Sequence, residues 1–278
     1  MSKCCFTTYV YGWYEDFIPI YIFSTLRVFP QHYVKVFLKG SLSENTKIAL
    51  SLIRNKISDS FEVVENFKDF DHCEIIHPAA YRFLLTREYF QGFDYVYFGD
   101  VDFVICNMNN DNFYESYLAH CKKTGLPFSN AWNYDWGRYR MTGLHFVIKD
   151  AYFDIMDPFI EEMKGPNVFK ERYRSRDQTL IFDEEMLFYM AFKAFDLRPL
   201  IDYIRPLPGL HFGIFRKTDP SCSFVRTYYK QFNELKENTK LNEILTSEMF
   251  SELQKLVGPQ VKANIDNVMI NFYKKLFI

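Results

Sequence analysis

Two hydrophobic rhythms take turns along the chain. Residues 4–11 are a β-rich apolar run that ends at Gly12 and read as a first buried strand. Asp16 then opens a helix through Arg27, with Pro19 tolerated in its first turn. Residues 34–38 form a second strand that stops at Lys39-Gly40. Ser43 caps the helix that follows, whose apolar residues Ile48, Leu52 and Ile53 share one face. A short strand comes next at 61–64. Pro78 starts a helix reaching Arg87, and 93–98 is another strand. Residues 111–123 have a helical pattern, 144–149 a strand pattern, and 151–163 and 183–195 are helical again.

Strand, helix and strand in alternation argue for an α/β fold, a mainly parallel central sheet flanked by helices on both faces. Residues 199–220 are rich in proline and glycine, and 226–278 are mostly helical with a break near Gly258-Pro259. The parse is one α/β domain over 1–220 with a C-terminal helical extension over 221–278. No apolar run approaches the length of about eighteen residues that a membrane span needs. The start, SKCCFTTYVYGWYEDF, lacks the basic and apolar blocks of a secretory signal, so a cytoplasmic protein is expected. The end, NFYKKLFI, either touches a membrane surface peripherally or docks on its own fold.

Composition adds one unusual feature. Phe and Tyr fill 50 of the 278 positions, more than a core of this size requires. Most of these rings pack the interior, and the remainder can line a groove for the apolar faces of sugars. Net charge is −2, from 33 basic and 35 acidic side chains, so no broad positive field exists for nucleic acid. Six cysteines lie scattered without a CxxC pair, which reads as reduced thiols rather than a zinc site or a disulfide framework.

The chemistry concentrates in FDYVYFGDVDFVICNMNND. An apolar strand runs through Gly99 into Asp100-Val101-Asp102 and then another apolar stretch. Ligands bind at the carboxyl ends of strands in open α/β sheets. Residues two apart on an extended segment share a side, and two carboxylates held so close repel each other. A hard divalent ion, Mg²⁺ or Mn²⁺, relieves that repulsion and keeps positions open for diphosphate oxygens. The plainer alternative is an acidic loop capping the next helix.

At this motif the chain resembles retaining glycosyltransferases of the GT-A fold, closest to the family 8 group that uses UDP-sugars. The resemblance spans roughly residues 4–217 and implies a GT-A-like catalytic domain. It implies that Asp100 and Asp102 bind the metal, with Asp100 and Val101 also at the donor diphosphate. The later segment LPGLHFGIFRK resembles the family stretch in which a histidine completes the metal site and a glycine and a lysine approach the diphosphate. His211, Gly213 and Lys217 take those places, although Thr218-Asp219 follow the lysine where the family has proline and tryptophan.

In RMTGLHFVIKDAYF, Thr142 and Gly143 fall where the family brings backbone close to donor and acceptor sugars, or they simply turn into the next strand. In FDEEMLFYMAF, Asp183 or Glu184 would face the donor sugar as catalytic groups. Acids in a first helical turn also suit the dipole, and Asp183 reads equally as an N-cap. Arg82, in HPAAYRFLLTREYF, resembles an arginine that reaches the donor, or lies on a solvated helix face. Thr8, Tyr9 and Tyr11 would hold the base and ribose.

The resemblance therefore implies transfer of a hexose from a UDP-sugar to a carbohydrate or glycolipid acceptor, with the anomeric configuration retained. It leans towards lipopolysaccharide or capsule synthesis at the inner face of a bacterial membrane. Two other readings stand beside it. A sugar-nucleotide nucleotidyltransferase would share the carboxylates, but YVYGWYEDF lacks its glycine-rich basic loop. A non-enzymatic carbohydrate-binding protein would use Trp132, Tyr134 and Trp136 of NAWNYDWGRY as stacking platforms, the stretch that borders the acceptor site in the enzyme reading.

Overall fold

A computed structural model describes residues 3–73, 76–106, 115–135, 138–165, 181–200, 209–215, 235 and 237–274. Its centre is a mixed sheet built from β1 (Cys4–Val10), β2 (Tyr33–Leu38), β3 (Phe61–Val64), β4 (Tyr95–Phe98), β6 (Phe128–Ser129) and β9 (His145–Ile148). The strand order is β3-β2-β1-β4-β9-β6. The first four run parallel, and β9 lies antiparallel to both β4 and β6. The expected mainly parallel sheet flanked by helices is present; the reversed β9 was not foreseen, because direction leaves no mark on an apolar tetrapeptide.

Every residue of β1 is buried, as befits a strand covered on both faces. Its even positions Cys4, Phe6 and Val10 join one core with Tyr97, and its odd positions Cys5 and Tyr9 join the other with Val96 and Phe98. The first core packs under α1 (Ile18–Val28) and α2 (Glu44–Lys56), the second under α4 (Lys149–Lys164) and α5 (Asp183–Ala194). A short helix, α3 (Glu115–Thr124), adds Tyr117 and Cys121 to the first core.

The C-terminal helices α7 (Thr239–Leu245), α8 (Glu248–Leu256) and α9 (Pro259–Lys274) put Leu241, Phe250, Leu253, Val261 and Ile265 into that same first core. Lys56 at the end of α2 pairs with Glu252 on α8 at 2.8 Å. The five described cysteines, Cys4, Cys5, Cys73, Cys106 and Cys121, are free thiols. No helix among the described residues is long and apolar enough to cross a membrane.

Several local expectations are corrected. Residues 12–17 form a 3₁₀ turn before α1, and Asp16 does not cap that helix; it accepts a hydrogen bond from the backbone N–H of Gly258. Ser43 does cap α2, accepting from Thr46 N at 3.2 Å. The buried face of α2 is Thr46, Ala49, Leu50 and Ile53, one step round from the expected stripe, which leaves Ile48 51% exposed. The expected helix over 78–87 is two 3₁₀ turns, Pro78–Leu84 and Arg87–Phe90. They are separated where Leu85 adopts extended backbone, φ −71° and ψ 126°.

The face assignment of α2 is open to direct test. Ile53→Ala should cost about 2–5 kcal/mol, and Ile48→Ala should stay within about 0.5 kcal/mol of wild type in denaturant unfolding. Equal losses at the two positions would contradict the packing described.

Candidate active site

The carboxyl end of β4 leads through Gly99 to Asp100, which lies past the strand, and Val101-Asp102 form the turn that follows. The space around Gly99 is tight, since a Cβ there would lie 3.2 Å from the Tyr97 ring and 3.4 Å from the Tyr21 hydroxyl. Across from it, the 3₁₀ turn Pro78–Leu84 supplies Arg82, which is only 3% exposed. A parallel bridge between Ile76 and Ile181, with His77 N donating to Ile181 O at 2.8 Å, brings the head of α5 alongside.

Arg82 Nη2 consequently lies 2.8 Å from Asp100 Oδ1 and 2.6 Å from Asp183 Oδ2. Burying a guanidinium is costly, and two carboxylates on one nitrogen offset that cost. Asp183 is therefore an ion-pair partner and not an N-cap; the cap position belongs to Phe182, whose side chain makes no cap bond. Gly143 closes over the pair, because a Cβ there would fall 2.5 Å from Arg82 Nη2 and 3.5 Å from Asp100 Oδ1. Burial raises the Asp100 carboxyl above the usual carboxylate range, with Arg82 and His211 pulling it back down.

Asp102 meets His211. The Nε2–H of His211 donates to Asp102 Oδ1 at 3.0 Å, since a carboxylate can only accept. Strand β10 (Gly209–His211) pairs antiparallel with β5 (Phe103–Ile105), placing His211 opposite Phe103 with the rings stacked at 4.4 Å. Gly209 makes that pairing possible, for a Cβ there would run into the Val104 carbonyl. Phe212 N then donates to Asp102 O at 2.8 Å, and Gly213 follows in the short helix α6 (Phe212–Phe215). Lys217 lies outside the described residues.

Asp100, Asp102 and His211 are thus neighbours, with one oxygen of each carboxylate and the Nε2 of His211 already engaged. Among the described residues, no group of three His, Cys, Asp or Glu side chains is arranged as a metal site. Two carboxylates and an imidazole suit Mn²⁺ or Mg²⁺ by type. Asp100 commits its Oδ1 to Arg82, and Asp102 its Oδ1 to His211 Nε2.

The head of α5 carries more acid. Glu184 faces Arg140 at 3.5 Å and Glu185 holds Arg138 at 3.0 Å. Both arginines lie on one face of β8 (Arg138–Met141), which pairs with β7 (Trp132–Asp135). Burial beside Asp183 pushes the Glu184 carboxyl up to about 7, with Arg140 opposing. The other face of this hairpin is aromatic. Tyr134 and Tyr139 lie 4.7 Å apart, Tyr139 stacks on Phe188 at 5.2 Å, and Phe188 stacks on Phe192 at 5.8 Å. Trp132 packs at the row's inner end, and Trp136 lies outside the described residues.

Of the residues expected at base and ribose, Thr8 and Tyr9 are buried, and Tyr9 lies among Phe67, Phe70 and Tyr81. That ring serves the core. Tyr11, just past the strand, is half-buried against His77 at 5.8 Å and Tyr14 at 6.0 Å. Burial pushes its hydroxyl up to about 12, and Asp183 and Asp100 are near enough to contribute. Val101 is buried, and Thr142 leads into Gly143.

Arg138 and Arg140 escaped the sequence reading, although the alternation in Arg138-Tyr139-Arg140 marks a two-faced strand. Asn130 and His77 offered no comparable signal.

Two measurements probe this geometry. Gly143→Ala should destabilise by about 1–3 kcal/mol in denaturant unfolding, because the new methyl meets a guanidinium that cannot retreat from its partners. Between pH 4.5 and about 7 the unfolded chain gives up the Glu184 proton before the folded chain does, so folding weakens as pH rises through that window. Glu184→Gln removes the loss. Its thermal midpoint should match wild type near pH 4 and exceed it near pH 8; a lower midpoint at pH 8 would count against the raised Glu184 carboxyl.

No protein-family model matches the sequence, and no curated protein matches it as a relative. Among solved structures, the chain is similar to the galactosyltransferase LgtC in complex with donor and acceptor sugar analogues. That likeness has 15% identity and a TM-score of 0.44, over 94% of this chain and 99% of that one. A nucleotide-diphospho-sugar transferase assignment has been given to another similar structure, from Desulfovibrio desulfuricans. It shows 11% identity and a TM-score of 0.35, over 96% of this chain and 98% of that one. At this level of overlap neither likeness decides function, and the residues of the site must.

Proposed function

We propose that the chain is a glycosyltransferase that takes a hexose from a UDP-sugar and joins it to a carbohydrate acceptor. The observation that carries this reading is Arg82, a buried cation at the carboxyl edge of a mainly parallel sheet, paired with acids from the end of β4 and the head of α5. Among the described residues its Nε is buried without a hydrogen-bond partner, so donor capacity remains for an incoming anion. A guanidinium suits a diphosphate because its fork offers directed bonds as well as charge.

In the proposed reaction the bond between C1 and the phosphate oxygen breaks, and UDP leaves with that electron pair. The acceptor hydroxyl oxygen bonds to C1 and gives up its proton. Arg82 would offset charge on the departing diphosphate. Glu184, with its carboxyl near neutrality, would stand at the donor sugar as the group able to take a proton. Asp183 would hold Arg82 in place. Tyr11, His77 and Phe182 would form the wall for the base, His77 stacking on Phe182 at 5.0 Å. Thr142 and Gly143 would lie beside the sugar, with Gly213 and Lys217 near the diphosphate.

Asp100, Asp102 and His211 would hold Mn²⁺ or Mg²⁺, which when bound supplies further positive charge to the leaving group. The row from Tyr134 to Phe192 would border the acceptor, its rings offering flat faces to sugars.

That exposed row also favours a second reading, a carbohydrate-binding protein without turnover, since Tyr134 and Phe192 are 62% and 64% exposed. Incubation with UDP-sugars separates the possibilities. Release of UDP supports transfer, release of pyrophosphate from a sugar phosphate and nucleotide supports a nucleotidyltransferase, and neither supports binding alone. Asp100→Asn should lower transfer by about 100-fold or more while melting stays cooperative, and chelation of divalent ions should have a similar effect. Near-normal transfer by Asp100→Asn with metal present would rule out this assignment.

A further inference from the structure

We infer that Asn130 is the positioning residue of this site, clamping the turn that holds Arg82 between its two carboxylates. Asn130 follows β6, is fully buried, and directs most of its amide bonds to Thr142, the residue ahead of Gly143. Its Oδ1 accepts from Thr142 N at 3.2 Å, from Thr142 Oγ1 at 2.7 Å and from Ala131 N at 2.6 Å. Its Nδ2 donates to Thr142 O at 3.0 Å and to His145 Nδ1 at 2.9 Å. An amide nitrogen can only donate, so His145 Nδ1 accepts and the imidazole proton resides on Nε2.

One side chain thereby grips the amide, the carbonyl and the hydroxyl of a single residue. Thr142 has little freedom left, and the next residue inherits that order. Gly143 is the wall against Arg82, so close that a Cβ would reach 2.5 Å from Nη2. Rings secure the far end of the clamp. His145 is fully buried and lies 5.0 Å from Phe128, 5.2 Å from Tyr152 and 6.2 Å from both Phe83 and Phe98. Phe83 neighbours Arg82 in the 3₁₀ turn, and the Arg82 guanidinium lies 4.8 Å from its ring centroid. Asn130 is therefore linked to Arg82 by two routes, through the Thr142–Gly143 backbone and through His145 and Phe83.

The clamp rests on geometry alone; its effect on catalysis rests on the transferase reading, and the test separates the two. Full-length wild type, Asn130→Ala and Asn130→Asp are treated with phenylglyoxal, which modifies accessible guanidinium groups. Labelling is then followed by peptide mapping. Arg198, 86% exposed at its side chain, is the internal standard. In wild type Arg82 should label far more slowly than Arg198. In Asn130→Ala its relative rate should rise about tenfold, the scale of losing a buried hydrogen bond or two. Asn130→Asp keeps the acceptor bonds but loses both Nδ2 donations, so it should give a smaller rise.

A cooperative melt by each variant shows that labelling reports local loosening, and a purely structural role would lower the melting temperature without exposing Arg82. A wild-type Arg82 rate in folded Asn130→Ala overturns the inference. Where that variant does not fold, an unchanged rate in Asn130→Asp does so. In parallel, transfer by Asn130→Asp should lose more in kcat than in acceptor KM. Absence of UDP binding and transfer in wild type would defeat the functional reading and leave the labelling result standing.

Discussion

The arrangement depends on where one buried positive charge finds its partners. Arg82 cannot stay inside the protein unpaired, and the carboxylates that satisfy it come from the end of β4 and the head of α5. Asp183 is 101 positions away in sequence, so the ion pair ties together two segments that nothing local would join. The bridge between Ile76 and Ile181 is the backbone side of that tie. Once both are made, Glu184 and Glu185 necessarily crowd the same corner, and β8 answers them with Arg138 and Arg140.

Legibility followed the reach of the forces involved. Strand–helix alternation is local and periodic, and it predicted the main sheet, most of the helices and the cap at Ser43. The direction of β9 depends on pairing with β4 and was not readable. The same applies to the face of α2, where Ile48 is no less apolar than Ile53 yet points to solvent because Ala49 and Leu50 lie nearer the core. In the site, the sequence drew notice to Asp102 and His211 on chemical grounds, and the structure puts them in contact across 109 positions. Tyr9 carries the same chemistry as Tyr11; its place inside β1 buries it in the ring cluster of Phe67, Phe70 and Tyr81, whereas Tyr11 lies just past the strand's end. Asn130 was invisible for another reason, since it acts on backbone groups and so belongs to no motif of reactive side chains.

Space matters here as much as charge. At Gly143 any side chain would displace the guanidinium, and at Gly209 any side chain would lift β10 off β5 and carry His211 away from Asp102. Neither position needs an unusual backbone angle. Each is where two parts of the site approach closer than a methyl group allows, which explains why charged residues drawn from distant segments can meet without strain in the chain.

The charge ledger sharpens the proposed chemistry. Asp100, Asp102, Asp183, Glu184 and Glu185 meet Arg82, Arg138 and Arg140, with His211 in contact with Asp102. Among the described residues the corner therefore carries an excess of two carboxylates when all are ionised, and burial raises Asp100 and Glu184 in keeping with that excess. Such a corner repels a diphosphate. Under the proposed function its donor must arrive with compensating charge, and one divalent ion offsets two surplus acids. Asp100, Asp102 and His211 would hold that ion, and Arg82, held by Asp183, would direct its remaining bonding capacity to the phosphate oxygens. Positive charge added beside Arg82 is thus what would convert a self-satisfied acidic corner into a site for an anion.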